Sequence, residues 1–191
     1  YHPNKHLDWD DLRESKKNIS YWIPNNKNQY LSHRKLEDVN SKRINFLKTY
    51  IERNHLKQIF SIGSGRANFE YYLYKKTKVP TTISDFSKTI KKIEKFKIFE
   101  NVKIINAKEK FKIHKAKETL VILSRIDTEF SDDELINLIQ NLYDNGVDHI
   151  YFIVAQLLTL KTFFIEFKIR VLALLKRKKL INCGVSRSLS L

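Results

Sequence analysis

The stretch IFSIGSGRAN, residues 59–68, is the part of this sequence from which the fold can be inferred. An apolar run stops at Gly63, continues through Ser64 to Gly65, and is followed by NFEYYL, which has the composition of a helix. This order predicts a buried β-strand, a tight glycine turn and a helix whose N-terminus faces the turn. Such turns suit ligands, because glycine allows close approach and a helix N-terminus favours anionic or polar groups. The dinucleotide fingerprint Gly-x-Gly-x-x-Gly fails at Asn68, and no P-loop Gly-Lys-Ser/Thr follows.

The composition fits one globular domain with an anionic partner. Its 191 residues are 42% hydrophobic, which is enough for a sizeable core. Lys and Arg total 36 against 21 Asp and Glu, and the resulting charge of +15 favours nucleic acid, an anionic membrane surface or a phosphorylated substrate. The alternative is lysine spread over a solvated surface. Because Cys183 is the one cysteine, an internal disulfide and a cysteine-based metal site are excluded, and we expect a cytoplasmic protein, with peripheral membrane association as the alternative.

Strand and helix patterns alternate along the chain on both sides of the glycine turn. We predict strands over 56–62, 79–84, 102–105, 119–123 and 150–154, and helices over 36–54, 66–76, 87–97 and 131–143. The lysine-rich stretch 108–118 is predicted as a loop or a poor helix. Such alternation predicts a mostly parallel sheet with right-handed crossovers, which is a Rossmann-like three-layer α/β/α sandwich.

The two ends of the chain differ from this pattern. Residues 1–36 are predicted to be an N-terminal extension with a short helix over 8–17 and irregular chain through 24–26. The aromatic residues of this extension are expected to pack against the domain, and the alternative is a lid over a substrate pocket. Residues 37–191 are predicted to form a single Rossmann-like cofactor-binding domain.

An amphipathic pattern over 157–179 predicts a helix that covers the sheet. The alternative is an interfacial helix whose basic run at 176–179 faces anionic lipid. Charged residues interrupt it too often for a membrane-spanning segment. Since 180–191 is too short for a closing hairpin, we expect a shortened C-terminal sheet edge.

Polar residues follow four of the predicted strands, at the edge where open α/β sheets bind ligands. Asp85 lies 20 residues after Gly65, at the end of the second strand, where a carboxylate can accept hydrogen bonds from both hydroxyls of a ribose. The alternative is that Asp85 only starts a turn before a helix. Phe86 is expected along the face of an adenine ring, and Asn106 with the Ala107 backbone at its polar edge.

With these residues the chain resembles the class I S-adenosylmethionine-dependent methyltransferases over roughly residues 57–154. The matching motifs are IFSIGSG at 59–65, ISDFS at 83–87 and IINA at 104–107. The resemblance implies S-adenosylmethionine as cofactor. It also implies a set of cofactor-binding residues, namely Gly63, Ser64 and Gly65 at the methionine part, Asp85 at the ribose, and Asn106 and Ala107 at the adenine. Phe86 and Ser124, which follow the second and fourth strands, are added to this set by their position at the same edge.

Three positions depart from the family pattern. Ser61 stands where the family usually has an acid that helps to hold the amino group of the cofactor. Ala67 replaces a frequent third glycine, and Asn106 replaces an acid that holds the adenine amino group. The amide oxygen of Asn106 can still accept that hydrogen bond.

The reaction implied by the resemblance is an in-line attack of an acceptor atom on the sulfonium methyl group, in which proximity and orientation dominate. Where the acceptor needs a base, Asp127 is the first expectation, Glu129 the second, and His114 and His149 are poorer ones. Each of these is alternatively a plain surface residue. The sequence has no nucleophile elbow and no cluster with metal-ligand spacing.

The sequence therefore predicts an S-adenosylmethionine-dependent methyltransferase that acts on a small-molecule, sugar or lipid-linked acceptor. The Asn/Asp-Pro-Pro-Tyr/Phe motif of nucleic-acid amino methyltransferases is absent. Two alternatives stay open at this point. One is a non-catalytic Rossmann-like binding module, and the other is an NAD(P)-dependent oxidoreductase.

Overall fold

A computed structural model describes residues 9–16, 22–32 and 38–154 of the chain. The strands are β1 (Gln58–Ile62), β2 (Thr81–Asp85), β3 (Asn101–Ile104), β4 (Thr119–Ser124) and β5 (His149–Ile153). The α-helices are α1 (Trp9–Glu14), α2 (Lys27–Ser32), α3 (Asp38–Arg53), α4 (Asn68–Thr77), α5 (Lys91–Glu94) and α6 (Asp132–Asp144). Short 3₁₀ turns lie at Lys88–Ile90, Ala116–Glu118 and Ile126–Thr128.

The five strands form one sheet in the order β3-β2-β1-β4-β5, and every pairing is parallel. The chain moves outward from β1 to β3 and then crosses back to β4. The strand order therefore reverses between β1 and β4, which is where open α/β sheets bind their ligands. With helices on both faces, this architecture confirms the predicted Rossmann-like α/β fold.

The central strands are apolar on both faces because each face is covered. On one face, Ile59 and Leu120 pack in a cluster with residues of α3 and α4. On the other face, Phe60 and Val121 pack with α6 and with the crossover that joins β3 to β4. The first five residues of β4 are buried in succession, as a strand covered on both sides requires.

The β3–β4 crossover contains no α-helix, which agrees with the loop expected for the lysine-rich stretch 108–118. Asn145, after the last turn of α6, holds it by accepting from the Ile113 N–H at 3.0 Å and donating to the Phe111 carbonyl at 3.1 Å. The sequence SDDE at 131–134 predicts a capping box, and the structure confirms it, since Ser131 and Glu134 exchange side-chain to backbone hydrogen bonds. Both ends of α6 are thus held by the side chains of its cap residues.

The helix predicted over 87–97 is wrong in length. The chain forms a 3₁₀ turn followed by the four-residue helix α5, and Lys97 has a positive φ of 51°. The Ser87 side chain makes no capping hydrogen bond to this segment's N-terminus. Ile90 and Ile93 are fully buried on its inner face, as their spacing predicted.

The described parts of the N-terminal extension, 9–16 and 22–32, pack on the domain, and the second part contributes to its core. Its first helix, α1, falls within the predicted 8–17, but α2 was missed because 24–26 reads as a turn. Asn26 begins α2 by accepting from the backbone N–H groups of the next turn. Ile23 and Tyr30 are fully buried, and the Tyr30 hydroxyl donates to the Arg66 carbonyl at 2.8 Å. The segment 22–32 therefore packs firmly beside β2.

The predicted helix over 157–179 and the shortened C-terminal sheet edge lie outside the described residues. Within the described ranges, no helix has the length and apolar character needed to cross a bilayer.

Candidate functional site

The glycine turn after β1 has a left-handed backbone at every second residue. Gly63, Gly65 and Ala67 have φ values of 72°, 55° and 52°. Ala67 is completely buried and precedes the first residue of α4. An alanine here thus takes the conformation that a third glycine would adopt, so the turn keeps its shape despite this departure from the family pattern.

The β1–β4 side of the turn is filled by the Ile126 side chain and the Ser124 carbonyl. A Cβ built on Gly63 would lie 2.4 Å from Cγ2 of Ile126 and 3.0 Å from the carbonyl oxygen of Ser124. Ile126 is buried and begins the 3₁₀ turn after β4. Gly63 is therefore required twice, for its positive φ and for the close approach of Ile126.

Hydrogen bonds of three serines join the glycine turn to β2. The Ser64 N–H and hydroxyl both donate to the Ser84 carbonyl, at 3.0 and 3.1 Å, and the Ser84 hydroxyl donates to the Ser61 carbonyl at 2.8 Å. The Ser61 hydroxyl in turn donates to Glu70 of α4 at 2.7 Å, and both residues are buried. A carboxylate thus lies beside Ser61 after all, supplied by the helix instead of the strand.

Asp85 is the best-bonded carboxylate of the described residues at this edge. It is 2% exposed, and its two oxygens accept from the Arg13 guanidinium at 2.6 and 3.0 Å in a bidentate pair. The backbone N–H groups of Gly65 and Ser87 also donate to it, at 2.9 and 3.0 Å. Four donors therefore converge on Asp85, and two of them come from α1.

Arg13 also closes the space above the glycine turn. Its Nη2 lies 3.8 Å from the position of a Cβ on Gly65, and no other described atom beyond the neighbouring residues comes within 4 Å of that position. The Arg13 side chain is 6% exposed. No sequence pattern indicates this contact, because 72 residues separate Arg13 from Asp85.

A second acid fixes α1 to the loop after β2. Asp10 accepts from the Ser87 hydroxyl at 2.5 Å and from the Thr89 N–H at 2.9 Å. Burial raises the pKa of Asp10, but hydrogen bonds from Ser87, Thr89 and Lys88 outweigh it and hold that pKa below its ordinary value of 3.8. Glu14 adds a pair with Lys92 at 3.3 Å, which is largely exposed on the Glu14 side.

Glu129 shares the electrostatic environment of the Arg13–Asp85 pair. Burial raises the pKa of the Glu129 carboxyl above 4.5, and the negative charge of Asp85 acts in the same direction. A hydrogen bond from Trp9 and the charges of Lys108 and Arg13 lower the pKa in part. Glu129 therefore lies with Asp85, Arg13 and Trp9 at the carboxyl edge of the sheet. These residues and the glycine turn with Ile126 form what we call the carboxyl-edge site.

The residues expected at an adenine ring lie at the ends of β2 and β3. Phe86 is about half exposed beside Asp85. The Asn106 side chain donates to Glu109 at 2.6 Å and accepts from the Lys108 N–H at 3.2 Å, so it already shapes its own turn. The Ala107 side chain is buried in the core, which leaves only its backbone for a ligand. Their role toward a ligand stays a prediction.

The expected bases differ in their surroundings. Asp127 is only 4% exposed in the turn after β4, whereas Glu129 is half-buried near Asp85. His114 is exposed on the β3–β4 crossover. His149 was a wrong candidate, because it starts β5 at the amino edge of the sheet and bonds through Nδ1 to the Tyr50 hydroxyl at 2.9 Å.

The described residues contain no group of three or more His, Cys, Asp or Glu side chains that could hold a metal ion. Comparison with family models, with curated proteins and with solved structures found no match to this chain. The fold and the carboxyl-edge site therefore define the class, a Rossmann-like α/β protein with a buried carboxylate beside its glycine turn.

Proposed function

We propose that the chain is an S-adenosylmethionine-dependent methyltransferase. The observation that carries the proposal is the position of Asp85, whose carboxylate lies at the end of β2 and accepts the N–H of Gly65 in the glycine turn. In the methyltransferase family that the chain resembles, a carboxylate at this place holds the ribose of the cofactor. The strand order around β1 and the left-handed φ of Ala67 support the same assignment.

The donors that Asp85 now binds support its fit to a ribose. Arg13 presents two N–H groups side by side, one to each carboxylate oxygen. Adjacent 2′- and 3′-hydroxyls of a ribose present two donors in a similar fork, and the absence of a side chain at Gly65 allows the sugar to lie close to the backbone. Asp85 thus has two oxygens placed for the two hydroxyls of a ribose, once the two Arg13 N–H groups have left them.

The cofactor supplies an electrophilic methyl group, and the chain must orient the acceptor toward it. Where the acceptor is an oxygen or nitrogen that must lose a proton, we assign the base to Glu129 ahead of Asp127. Glu129 is half-buried with a raised pKa beside Trp9, whereas Asp127 is packed into the 3₁₀ turn. A raised carboxyl pKa brings a general base closer to neutral pH.

The acceptor class is proposed to be a small molecule, a sugar or a lipid-linked group. The charge of +15 favours an acceptor or neighbour that is itself anionic, such as a membrane surface or nucleic acid.

A second candidate, a non-catalytic Rossmann-like module, is favoured by one observation. Arg13 already satisfies Asp85, and Ile126 fills the space at Gly63. A protein that had lost its cofactor would keep such contacts, because they stabilise the fold without a ligand.

Isothermal titration with S-adenosylmethionine, S-adenosylhomocysteine and NADH in parallel tests the proposal. We expect micromolar binding of the first two and none of NADH. The Asp85→Ala variant should lose most of this binding, while its circular dichroism spectrum stays that of a folded protein. Binding of NADH alone would favour the oxidoreductase, and an equally tight Asp85→Ala variant would remove the ribose assignment.

A further inference from the structure

We propose that α1 is an intramolecular occupant of the nucleoside site, so that the cofactor binds only after α1 has moved away. This inference rests on the proposed function and adds a gate to it. Arg13 takes the carboxylate that a ribose would need and lies directly over Gly65. Both groups cannot use Asp85 in this way at once, because its oxygens already accept four hydrogen bonds.

The contacts that hold α1 are of a kind that a ligand can replace. They include the pair between Arg13 and Asp85, the bonds of Asp10 to Ser87 and Thr89, and the partly exposed Glu14–Lys92 pair. Trp9 also bonds to Glu129, and the Arg13 carbonyl accepts from the Ile23 N–H at 2.8 Å. These contacts are hydrogen bonds and ion pairs, and α1 spans only six residues. A helix of one or two turns is not stable without its docking contacts, so release of α1 is expected to unwind it.

The segment that follows α1 is fixed in a different way. Ile23 and Tyr30 are buried in a cluster with Ile83, Ile90 and Ile93, and α2 is therefore held by the core. Displacement of α1 thus breaks the bond from the Ile23 N–H to the Arg13 carbonyl, but it leaves the apolar contacts of Ile23 and Tyr30 in place. The gate consists of 9–16 alone, as far as the described residues extend.

The gate has a consequence for affinity. When the competent state is only a fraction of the population, the apparent dissociation constant rises by the inverse of that fraction. Weakening the docking of α1 should therefore tighten cofactor binding, although the altered residue touches neither cofactor nor acceptor in the proposed complex.

Asp10→Asn is the variant of choice, because Asp10 anchors α1 without touching Asp85. We expect it to bind S-adenosylhomocysteine about 10-fold more tightly than the wild type, as measured by isothermal titration. Arg13→Gln should act in the same direction. Glu14→Gln is the matched control on the same helix, with an exposed pair and little expected change in affinity.

Tryptophan fluorescence gives a readout that does not depend on affinity. The chain has two tryptophans, Trp9 in α1 and Trp22 before α2. In a Trp22→Phe protein, Trp9 reports on α1 alone. We expect acrylamide quenching of Trp9 to increase when S-adenosylhomocysteine is added, and to be high in Asp10→Asn before any addition.

The outcomes separate the gate from the proposed function. Tighter binding of S-adenosylhomocysteine by Asp10→Asn, together with greater exposure of Trp9, supports the gate. The support is strongest if the variants bind and the wild type does not. Unchanged or weaker binding by Asp10→Asn, in a wild type that binds, overturns the gate and leaves the methyltransferase proposal standing. No binding by any variant whose Trp9 is exposed overturns both.

Discussion

The two halves of the carboxyl-edge site are closed by different kinds of contact. On the β1–β4 half, Ile126 packs so tightly on Gly63 that a methyl group would not fit. On the β2 half, the guanidinium of Arg13 covers Asp85 through hydrogen bonds and charge. Both halves lie at one glycine turn, yet among the described residues only the second is covered by a segment from outside the sheet and its crossovers.

This difference indicates which half a ligand can open. Carbon packing at Gly63 loses dispersion contacts and leaves a void when Ile126 moves, and a polar ligand does not restore them. Hydrogen bonds to Asp85 are exchangeable, because two ribose hydroxyls can take the place of two N–H groups. We therefore expect the β1–β4 half to set the shape of the site and the β2 half to control its occupancy.

The largest effect is expected from removing the charge at Asp85. Asp85→Ala leaves the buried Arg13 guanidinium without its partner, and loss of one member of a buried pair costs about 3–5 kcal/mol. Urea unfolding followed by circular dichroism measures the change. The double variant Arg13→Gln with Asp85→Asn, which buries no unpaired charge, should lose clearly less; equal losses would mean that the unpaired Arg13 charge is not what makes Asp85→Ala costly.

A slightly smaller effect is expected at the apolar half. Gly63→Ala combines a left-handed alanine with overpacking against Ile126, together about 3 kcal/mol of lost stability. Gly146→Ala is the matched control, since Gly146 has a φ of 78° but no atom within 4 Å of its Cβ position, and should cost about 1 kcal/mol. Similar urea midpoints for both variants would show that Ile126 yields easily.

The contrast between the halves also explains what the sequence could predict. The alternation of strand and helix patterns, the glycine spacing and the capping box at Ser131 are local patterns, and all of them are realised in the fold. The position of Asp85 at a strand end followed from the same local reasoning.

The partners of these residues could not be predicted in the same way. Arg13 reaches Asp85 across 72 residues, and Glu70 reaches Ser61 from the following helix, so neither contact has a periodic signature. The start of α2 was missed because Asn26 serves equally well in a turn and as a helix cap. Long-range polar pairs of this kind depend on how the elements pack and not on the residues beside them.

Two buried serines offer a comparison at about 1 kcal/mol. Ser64→Ala removes a hydroxyl bond to the Ser84 carbonyl, which still accepts the residue 64 N–H, so about 0.5–1 kcal/mol should be lost. Ser87→Ala removes the bond to Asp10 and should cost a similar amount. Only Ser87→Ala should increase acrylamide quenching of Trp9 in the Trp22→Phe background. An equal rise in Ser64→Ala would mean that α1 responds to the turn in general.

The smallest and most gradual effect is expected from pH. Because the pKa of Asp10 is lowered in the folded protein, its contribution is present above 3.8 and is lost as the pH falls through that lowered pKa. Glu129 has the opposite sign, since its raised pKa means that stability decreases as the pH rises from 4.5 through that pKa.

Urea unfolding of the wild type and of Glu129→Gln at a series of pH values separates Asp10 from Glu129. The series runs from about pH 3 to about pH 8, because carboxyl titration needs roughly this range. The Glu129→Gln protein should lack the decrease above 4.5 and keep the loss at acidic pH. In the Trp22→Phe background, Trp9 should become exposed only as the pH falls through the pKa of Asp10. Exposure of Trp9 as the pH rises through the pKa of Glu129 would mean that Glu129 holds α1 in place.

The most direct test of the account is a crystal structure of the protein with S-adenosylhomocysteine bound. We predict that both ribose hydroxyls donate to the Asp85 carboxylate, that Arg13 has left it, and that Gly63 and Ile126 stay in contact. A ligand bound while Arg13 still holds Asp85 in its bidentate pair would contradict the account.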